Sequence, residues 1–339
     1  MHTELLALSA RFVAQAVAVE RLQRLSGGAN NETWSFDVLT ARGDRVPLIL
    51  RRKPAGTAQR GGVDDARSRR TVGPEEEAAL IAAAGRAGVP VPAVRGILSA
   101  GDGLGRGFVM DRLEGETRPK RLLHDPAYAA ARARLLGQAA AALAGLHRVD
   151  PGALPPTLRR SDAAGELALW EGRLRDHAVK RPVFELALRW LHRHQPSSPA
   201  RWAAVHGDFR NGNLLVDAQG LGAVLDWELA HVGDPAEDLG WFCVASWRFG
   251  ELDAEAGGFG TRQAWLTAYR QAGGEVDAER VRFWEVLGTL RWGAMCLDMA
   301  QTWRSGVDRS VERVAVARRA SETELDLLRL LAPRAAVSA

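Results

Sequence analysis

Cysteine is nearly absent from this chain: only Cys243 and Cys296 occur in 339 residues. Two thiols without metal-like spacing exclude a disulfide framework, and predict a reducing compartment in which both pack as small hydrophobes. Lysine is scarce too, standing only at Lys53, Lys120 and Lys180, so almost all of the positive charge is arginine. The opening Met1-His-Thr-Glu-Leu-Leu lacks a basic stretch followed by an apolar run, and the most alanine-rich segment is interrupted by Gly137, Gln138 and Gly145. Neither an export signal nor a membrane partner is expected, and the chain reads as cytoplasmic. No G-K-[ST] string exists anywhere, which excludes a P-loop.

What is present suits a sizeable core. Hydrophobic residues make up 46% of the chain, enough for one large domain or two lobes. The net charge is +4 and the isoelectric point near 9.5. That balance reflects either a genome bias toward arginine or an anionic substrate. No nucleic-acid partner is expected, since no recognised module or aromatic-basic interleaving accompanies the charge.

Periodicity predicts an opening helix from about Glu4 to Val19, then strands over Thr33 to Val38 and Val46 to Arg52. Residues Pro54 to Gly73 are rich in Gly, Arg and Asp, without periodicity, and predict a mobile surface loop carrying Arg60, Arg67, Arg69 and Arg70. A helix from Pro74 to Ala87 follows, with proline in its first turn and three glutamates at its positive end. Strands near Val94 to Ser99 and Gly107 to Arg112 come next. Beyond them the pattern is mainly helical, over Pro126 to His147, Leu167 to His177, Pro182 to His194, Pro235 to Trp247, Gly260 to Ala272, Ala278 to Ser305 and Ser310 to Leu331.

One string interrupts the helices and carries the chemistry. His206-Gly-Asp-Phe-Arg-Asn-Gly-Asn213 is followed, after a short apolar stretch, by Asp226-Trp-Glu228. Leu214-Leu215-Val216 and Ala223-Val224-Leu225 read as strands joined by the turn Asp217-Ala-Gln-Gly220. A hairpin makes Asn213 and Asp226 neighbours, so both can face one Mg²⁺, which takes oxygen ligands and keeps several waters. Asp208 either accepts a proton from an attacking hydroxyl or caps a local turn. Arg210, two residues on, either reaches a transferred phosphoryl group or forms a salt bridge that shapes the loop. Glu228 either supplies a further oxygen near the metal or is an exposed carboxylate. Asp234-Pro235 reads as a helix start. Ser26-Gly-Gly-Ala-Asn-Asn31, the turn between the first two strands, could let backbone N–H groups approach phosphates, with Ser26 at its start; any tight hairpin uses the same residues.

This catalytic string resembles that of the aminoglycoside phosphotransferase and choline kinase-like superfamily. Within it, Asp226-Trp-Glu228 and Gly233-Asp-Pro235 resemble the branch related to the kinase-like domain fused to acyl-CoA dehydrogenases. The resemblance covers most of the chain. It implies an α+β, two-lobed, protein-kinase-like fold, with a small antiparallel-sheet N-lobe over residues 1–112 and a larger, mainly helical C-lobe over 113–339. It implies ATP and Mg²⁺ as cofactors and a small-molecule hydroxyl acceptor.

The resemblance also implies roles for individual residues. Arg51 stands where the superfamily usually has a phosphate-holding lysine, paired with Glu77; strand alternation sends Lys53 to the same face, so Lys53 stays a rival. Backbone groups near Asp111 to Leu113 would meet the adenine. His206 would support the loop by packing and hydrogen bonding, and Asp238 would brace it from beneath. Trp247 and Trp292 are candidate pocket residues, although tryptophans from Trp241 through Trp303 are more often core. The implied activity is transfer of the ATP γ-phosphoryl group to a hydroxyl. A hydroxyacyl-CoA acceptor stands beside an aminoglycoside or amino-alcohol acceptor, with a regulatory pseudokinase as the non-catalytic alternative.

Overall fold

The computed structural model describes residues 1–25, 31–53, 71–177, 179–199 and 201–332. Among these, five strands form an antiparallel sheet in spatial order β1-β2-β3-β5-β4. Its strands are β1 (Ala16–Arg24), β2 (Glu32–Thr40), β3 (Arg45–Lys53), β4 (Val94–Ile97) and β5 (Arg106–Asp111). Helix α1 (His2–Ser9) buries Leu5 and Leu8 with Phe36, Val38, Leu48 and Leu50 of the sheet. Helix α2 (Pro74–Arg86) turns Ala78, Leu80 and Ile81 into a larger core that runs on through the helical part of the chain. The N-terminal end of α2 obeys local rules: Pro74 opens it and Glu75, Glu76 and Glu77 lie at this positive end.

The opening helix is shorter than periodicity predicts. It ends at Ser9, and Ala16 to Arg24 is strand β1, paired with β2 through Val19 and Val38. Register shifts at Ala16/Ala18 and Glu20/Gln23, with Arg21 at φ 51°, break the two-residue alternation that would have marked a strand. Of the segment expected as a loop, residues 54–70 lie outside the described residues, and Arg60, Arg67, Arg69 and Arg70 with them. Ser26 of the first turn also lies outside.

From Pro119 the chain is mainly helical. Helices α3 (Pro119–His124), α4 (Ala129–His147), α5 (Ala163–Asp176) and α6 (Pro182–Arg193) precede the string that begins at His206. That string lies among short strands β6 (Ala203–Val205), β7 (Leu214–Asp217), β8 (Gly220–Val224) and β9 (His231–Gly233). Helices α7 (Pro235–Cys243), α8 (Arg262–Gln271), α9 (Ala278–Arg304), α10 (Val311–Ala317) and α11 (Ala320–Leu331) follow. The final helix expected from Ser310 is thus split near Arg319, and the one from Pro235 stops at Cys243. Helix α7 packs closely on α9 because Gly240 has no side chain; a Cβ there would stand 2.7 Å from the Glu285 backbone nitrogen. Among the described residues no helix is long and apolar enough to cross a membrane.

Candidate active site

The hairpin β7–β8 pairs Leu214 with Val224, and the Leu225 N–H donates to the Asn213 carbonyl at 2.9 Å. Asn213 and Asp226 therefore leave the same end of the hairpin. Asp226 sits in the left-handed region at φ 64° and ψ 67°, a conformation aspartate tolerates better than most residues. Trp227 anchors the bend behind it, buried and donating from Nε1 to the Val224 carbonyl at 3.0 Å. This bend turns the Asp226 carboxylate away from the strand direction and toward β3.

The loop from His206 to Asn213 hangs from one buried carboxylate. Asp238, on α7, accepts the His206 N–H at 2.8 Å and the Gly207 N–H at 2.9 Å, and lies 3.2 Å from His147 Nε2. Burial alone would raise its pKa, but the hydrogen bond and charge of His147, with His206 and the backbone donors, hold it below the usual carboxylate value. His206 is wholly buried, which lowers its pKa and keeps the ring neutral. Its Nδ1 accepts the Asp208 N–H at 3.2 Å while Nε2 donates to the Leu225 carbonyl at 3.1 Å, so the ring ties the loop to the hairpin. Arg291 of α9 donates to the Gly207 carbonyl at 2.8 Å. Gly207 has φ 76°, and a Cβ there would stand 2.5 Å from the Leu229 carbonyl oxygen. Gly207→Ala is therefore expected to cost about 2–5 kcal/mol in urea denaturation, from left-handed strain and overpacking together.

Asp208 meets three donors. Trp241 Nε1 reaches Oδ1 at 2.8 Å, Arg210 Nε reaches Oδ1 at 3.1 Å and Oδ2 at 3.2 Å, and Asn213 Nδ2 reaches Oδ2 at 2.9 Å. Asn213 Nδ2 also donates to the Asp208 carbonyl at 2.9 Å. With its nitrogen committed twice, Asn213 presents Oδ1 as the atom without a hydrogen bond among the described residues, the atom type a hard cation needs. The Arg210 guanidinium stands over the Trp247 ring, 4.8 Å from its centroid, and is directed at Asp208.

Across from this loop, β3 delivers Arg51. Its Nε donates to Glu77 Oε2 at 2.9 Å, and its Nη2 donates to both Asp226 Oδ1 and Glu228 Oε2 at 3.0 Å. Glu228 is buried rather than exposed. Burial works against the Arg51 charge, but the carboxylates of Glu77, Asp226 and Glu228 outweigh it and hold its pKa above the ordinary value. Glu77 is pushed up to about 7, first by burial and then by the like charges of Asp226 and Glu228, while Arg51 pulls it down. Lys53 makes no ion pair among the described residues, and Arg52 points to the opposite face, on Glu32.

Arg51, Glu77, Asn213 and Asp226 line one side of a cavity of about 460 Å³. Ile49, Ile81, Met110, Leu113 and Leu215 supply apolar walls, and Asp111 lies at its edge. The Asp111 carboxylate is held by Arg95 in a bidentate pair at 2.6 and 2.8 Å. Of the backbone groups in this segment, the Asp111 N–H donates to Ala93 and the Arg112 N–H to Pro47. The Leu113 N–H makes no hydrogen bond among the described residues.

Three contributors escaped sequence reasoning: Trp241 on Asp208, Arg291 on the loop carbonyl, and His147 behind Asp238. Trp241 had a readable signal, since it stands three residues after Asp238 and so shares its helix face. Arg291 and His147 had none.

Residues 21–284 match the phosphotransferase enzyme family, APH. The chain belongs to that family. Acyl-CoA dehydrogenase family member 10 of Mus musculus is 30% identical over 208 residues, which cover 58% of this chain and 18% of that protein. This APH chain thus spans less than a fifth of the length of the curated relatives it matches. Among solved structures, one of a putative aminoglycoside phosphotransferase from Ralstonia eutropha superposes with TM-score 0.73 at 21% identity, covering 97% of each chain. A thermostable aminoglycoside phosphotransferase APH(4)-Ia, in ternary complex with ADP and hygromycin B, gives TM-score 0.60 at 18% identity, covering 96% of this chain and 98% of that one. The expected α+β architecture, a kinase-like antiparallel sheet followed by a helical part, is that of these APH neighbours.

Proposed function

We propose that this APH-family protein binds Mg²⁺-ATP between the regions 1–112 and 113–339, and transfers the γ-phosphoryl group to a hydroxyl of a small molecule. The observation that carries the reading is that Arg51, Asn213 and Asp226 line one cavity of about 460 Å³, with Asp208 hydrogen-bonded to Asn213 and Arg51 to Asp226. Adenine lies against the apolar walls and accepts from the Leu113 N–H. Asn213 Oδ1 and the Asp226 carboxylate would hold the Mg²⁺. One amide oxygen and one carboxylate suit an ion that keeps waters and phosphate oxygens in its shell. When bound, the ion neutralises charge on the β- and γ-phosphate oxygens.

Asp208 orients the acceptor hydroxyl and takes its proton as the oxygen forms a bond to the γ-phosphorus and the bond to the ADP oxygen breaks. Its three donors hold the carboxylate in one pose, so little reorganisation is needed at the moment of reaction. Arg210 both shapes the loop through Asp208 and stands beside the path of the transferred group.

The acceptor reading rests on charge. The Trp247 and Trp292 rings lie 4.9 Å apart, and Arg319, whose guanidinium stands 5.9 Å from the Trp292 ring, lines a second cavity of about 470 Å³. Lys120, Ser246, Phe249, Arg319 and Arg329 line it with Glu322 and Asp326. Both acids are paired with arginine, at 2.8 Å for Glu322 and 3.6 Å for Asp326, while Lys120 has no carboxylate partner among the described residues. With Arg319 and Arg329 balanced by those two acids, the uncompensated charge in the lining is that of Lys120, which would repel a polycationic aminoglycoside and favour a neutral or anionic hydroxyl compound such as a hydroxyacyl thioester. The test incubates the protein with Mg²⁺-ATP and a panel of hydroxyacyl-CoAs, amino alcohols and aminoglycosides, following ADP release and product mass. Phosphorylated hydroxyacyl-CoA is the expected product; turnover of aminoglycosides alone would reverse the acceptor assignment.

A further inference from the structure

Three acidic groups converge on one arginine in this site, and their burial sets a requirement. Glu77 and Glu228 have side chains 2% and 10% exposed, so their charges are poorly hydrated and need a cation at hand. Arg51 meets that need through its fork: Nε takes Glu77 while the single nitrogen Nη2 takes Asp226 Oδ1 and Glu228 Oε2 together, both at 3.0 Å. One positively charged donor thus sits between the two carboxylates that follow β8, the position that a divalent cation held by both of them would take.

We propose that Arg51 is a built-in stand-in for the metal: in the nucleotide-free protein its Nη2 fills the cation position between Asp226 and Glu228, and metal-nucleotide binding must displace it. The inference rests on the reading of Asp226 as a metal ligand. Displacement does not require the whole side chain to leave. Nε stays on Glu77, which anchors the guanidinium, while Nη2 turns from the two carboxylates toward phosphate oxygens arriving with the ion. Glu228 thereby becomes a second carboxylate facing the ion. Arginine suits this exchange because its planar fork presents separate donors to two sites; a lysine ammonium at the same position is a single point and cannot hold Glu77, Asp226 and Glu228 in the same way.

The exchange has a signature that is independent of turnover. If Arg51 competes with the ion, the nucleotide-free protein binds divalent cations weakly, and shortening the competitor strengthens that binding. The probe is Mn²⁺ alone, titrated into nucleotide-free protein and followed by electron paramagnetic resonance of the free ion. Arg51→Gln is expected to bind Mn²⁺ at least about tenfold more tightly than the parent, because Asp226 and the buried Glu228 have lost the positive charge of Arg51. Arg51→Lys should fall between them, and it keeps the test available should the glutamine variant fail to fold. Adding Glu228→Gln to either variant should remove most of the gain. Mn²⁺ affinity unchanged or weakened in the folded Arg51 variants overturns the proposal. Asp226→Ala separates the two levels of the argument. If it abolishes Mg²⁺-dependent nucleotide binding while the Arg51 variants gain no Mn²⁺ affinity, the stand-in alone is wrong; if it leaves that nucleotide binding intact, the metal-site reading beneath it fails as well.

Discussion

Asp208→Asn is expected to bind Mg²⁺-ATP with nearly parental affinity and to lose roughly 10²- to 10⁴-fold in kcat, the usual contribution of a positioned general base. The carboxylate is held by Trp241, Arg210 and Asn213 at 2.8 to 3.2 Å. An amide of the same shape keeps a carbonyl oxygen for one or two of these donors, so the loop should retain its form. It cannot accept the hydroxyl proton. Calorimetric titration with nucleotide and a single-turnover phosphate-transfer assay separate the two effects. Parental turnover in the variant would remove Asp208 from the mechanism.

A second large effect is expected at Asp226. Replacing it with alanine should abolish the Mg²⁺ dependence of nucleotide binding, because Asn213 Oδ1 alone is a poor site for a hard dication. The same change leaves Arg51 Nη2 on Glu228 only and puts alanine at φ 64°, where left-handed backbone costs about 1–2 kcal/mol. Asp226→Asn is the matched variant, since asparagine accepts the left-handed conformation and loses only the charge. Calorimetry with and without Mg²⁺ reads both, and Mg²⁺-dependent affinity surviving in both contradicts the ligand assignment.

Much of the fold was legible because its signals are local. Alternation marks β2, short apolar runs mark β3 and β5, and Pro74 with its glutamates marks α2. Strand β1 was not, since its bulges and the left-handed Arg21 disrupt the period on which a reading depends. Strands β6 and β9 are three residues each, too short for any period, and are defined by pairing with one another and, for β9, with Arg160. In the candidate site, Asn213 and Asp226 are linked by one hairpin and could be paired from sequence. Trp241 could have been found from its spacing to Asp238, but nothing near Arg291 or His147 in sequence says that each supports the same loop.

The sequence by itself determined which atoms stand near the hairpin's end, because strand pairing is set by a few consecutive residues and a turn. It also determined the family, since the string from His206 to Asp226 is contiguous. Only the tertiary structure decided which cation neutralises those atoms: Arg51 meets Asp226 across 175 residues of chain, and Glu228, equally readable as a surface acid, is buried against it. The physical reason is range. Hairpin hydrogen bonds are settled within one segment, whereas the pairing of buried charges depends on which distant elements packing brings together, and on the cost of leaving any of those charges alone.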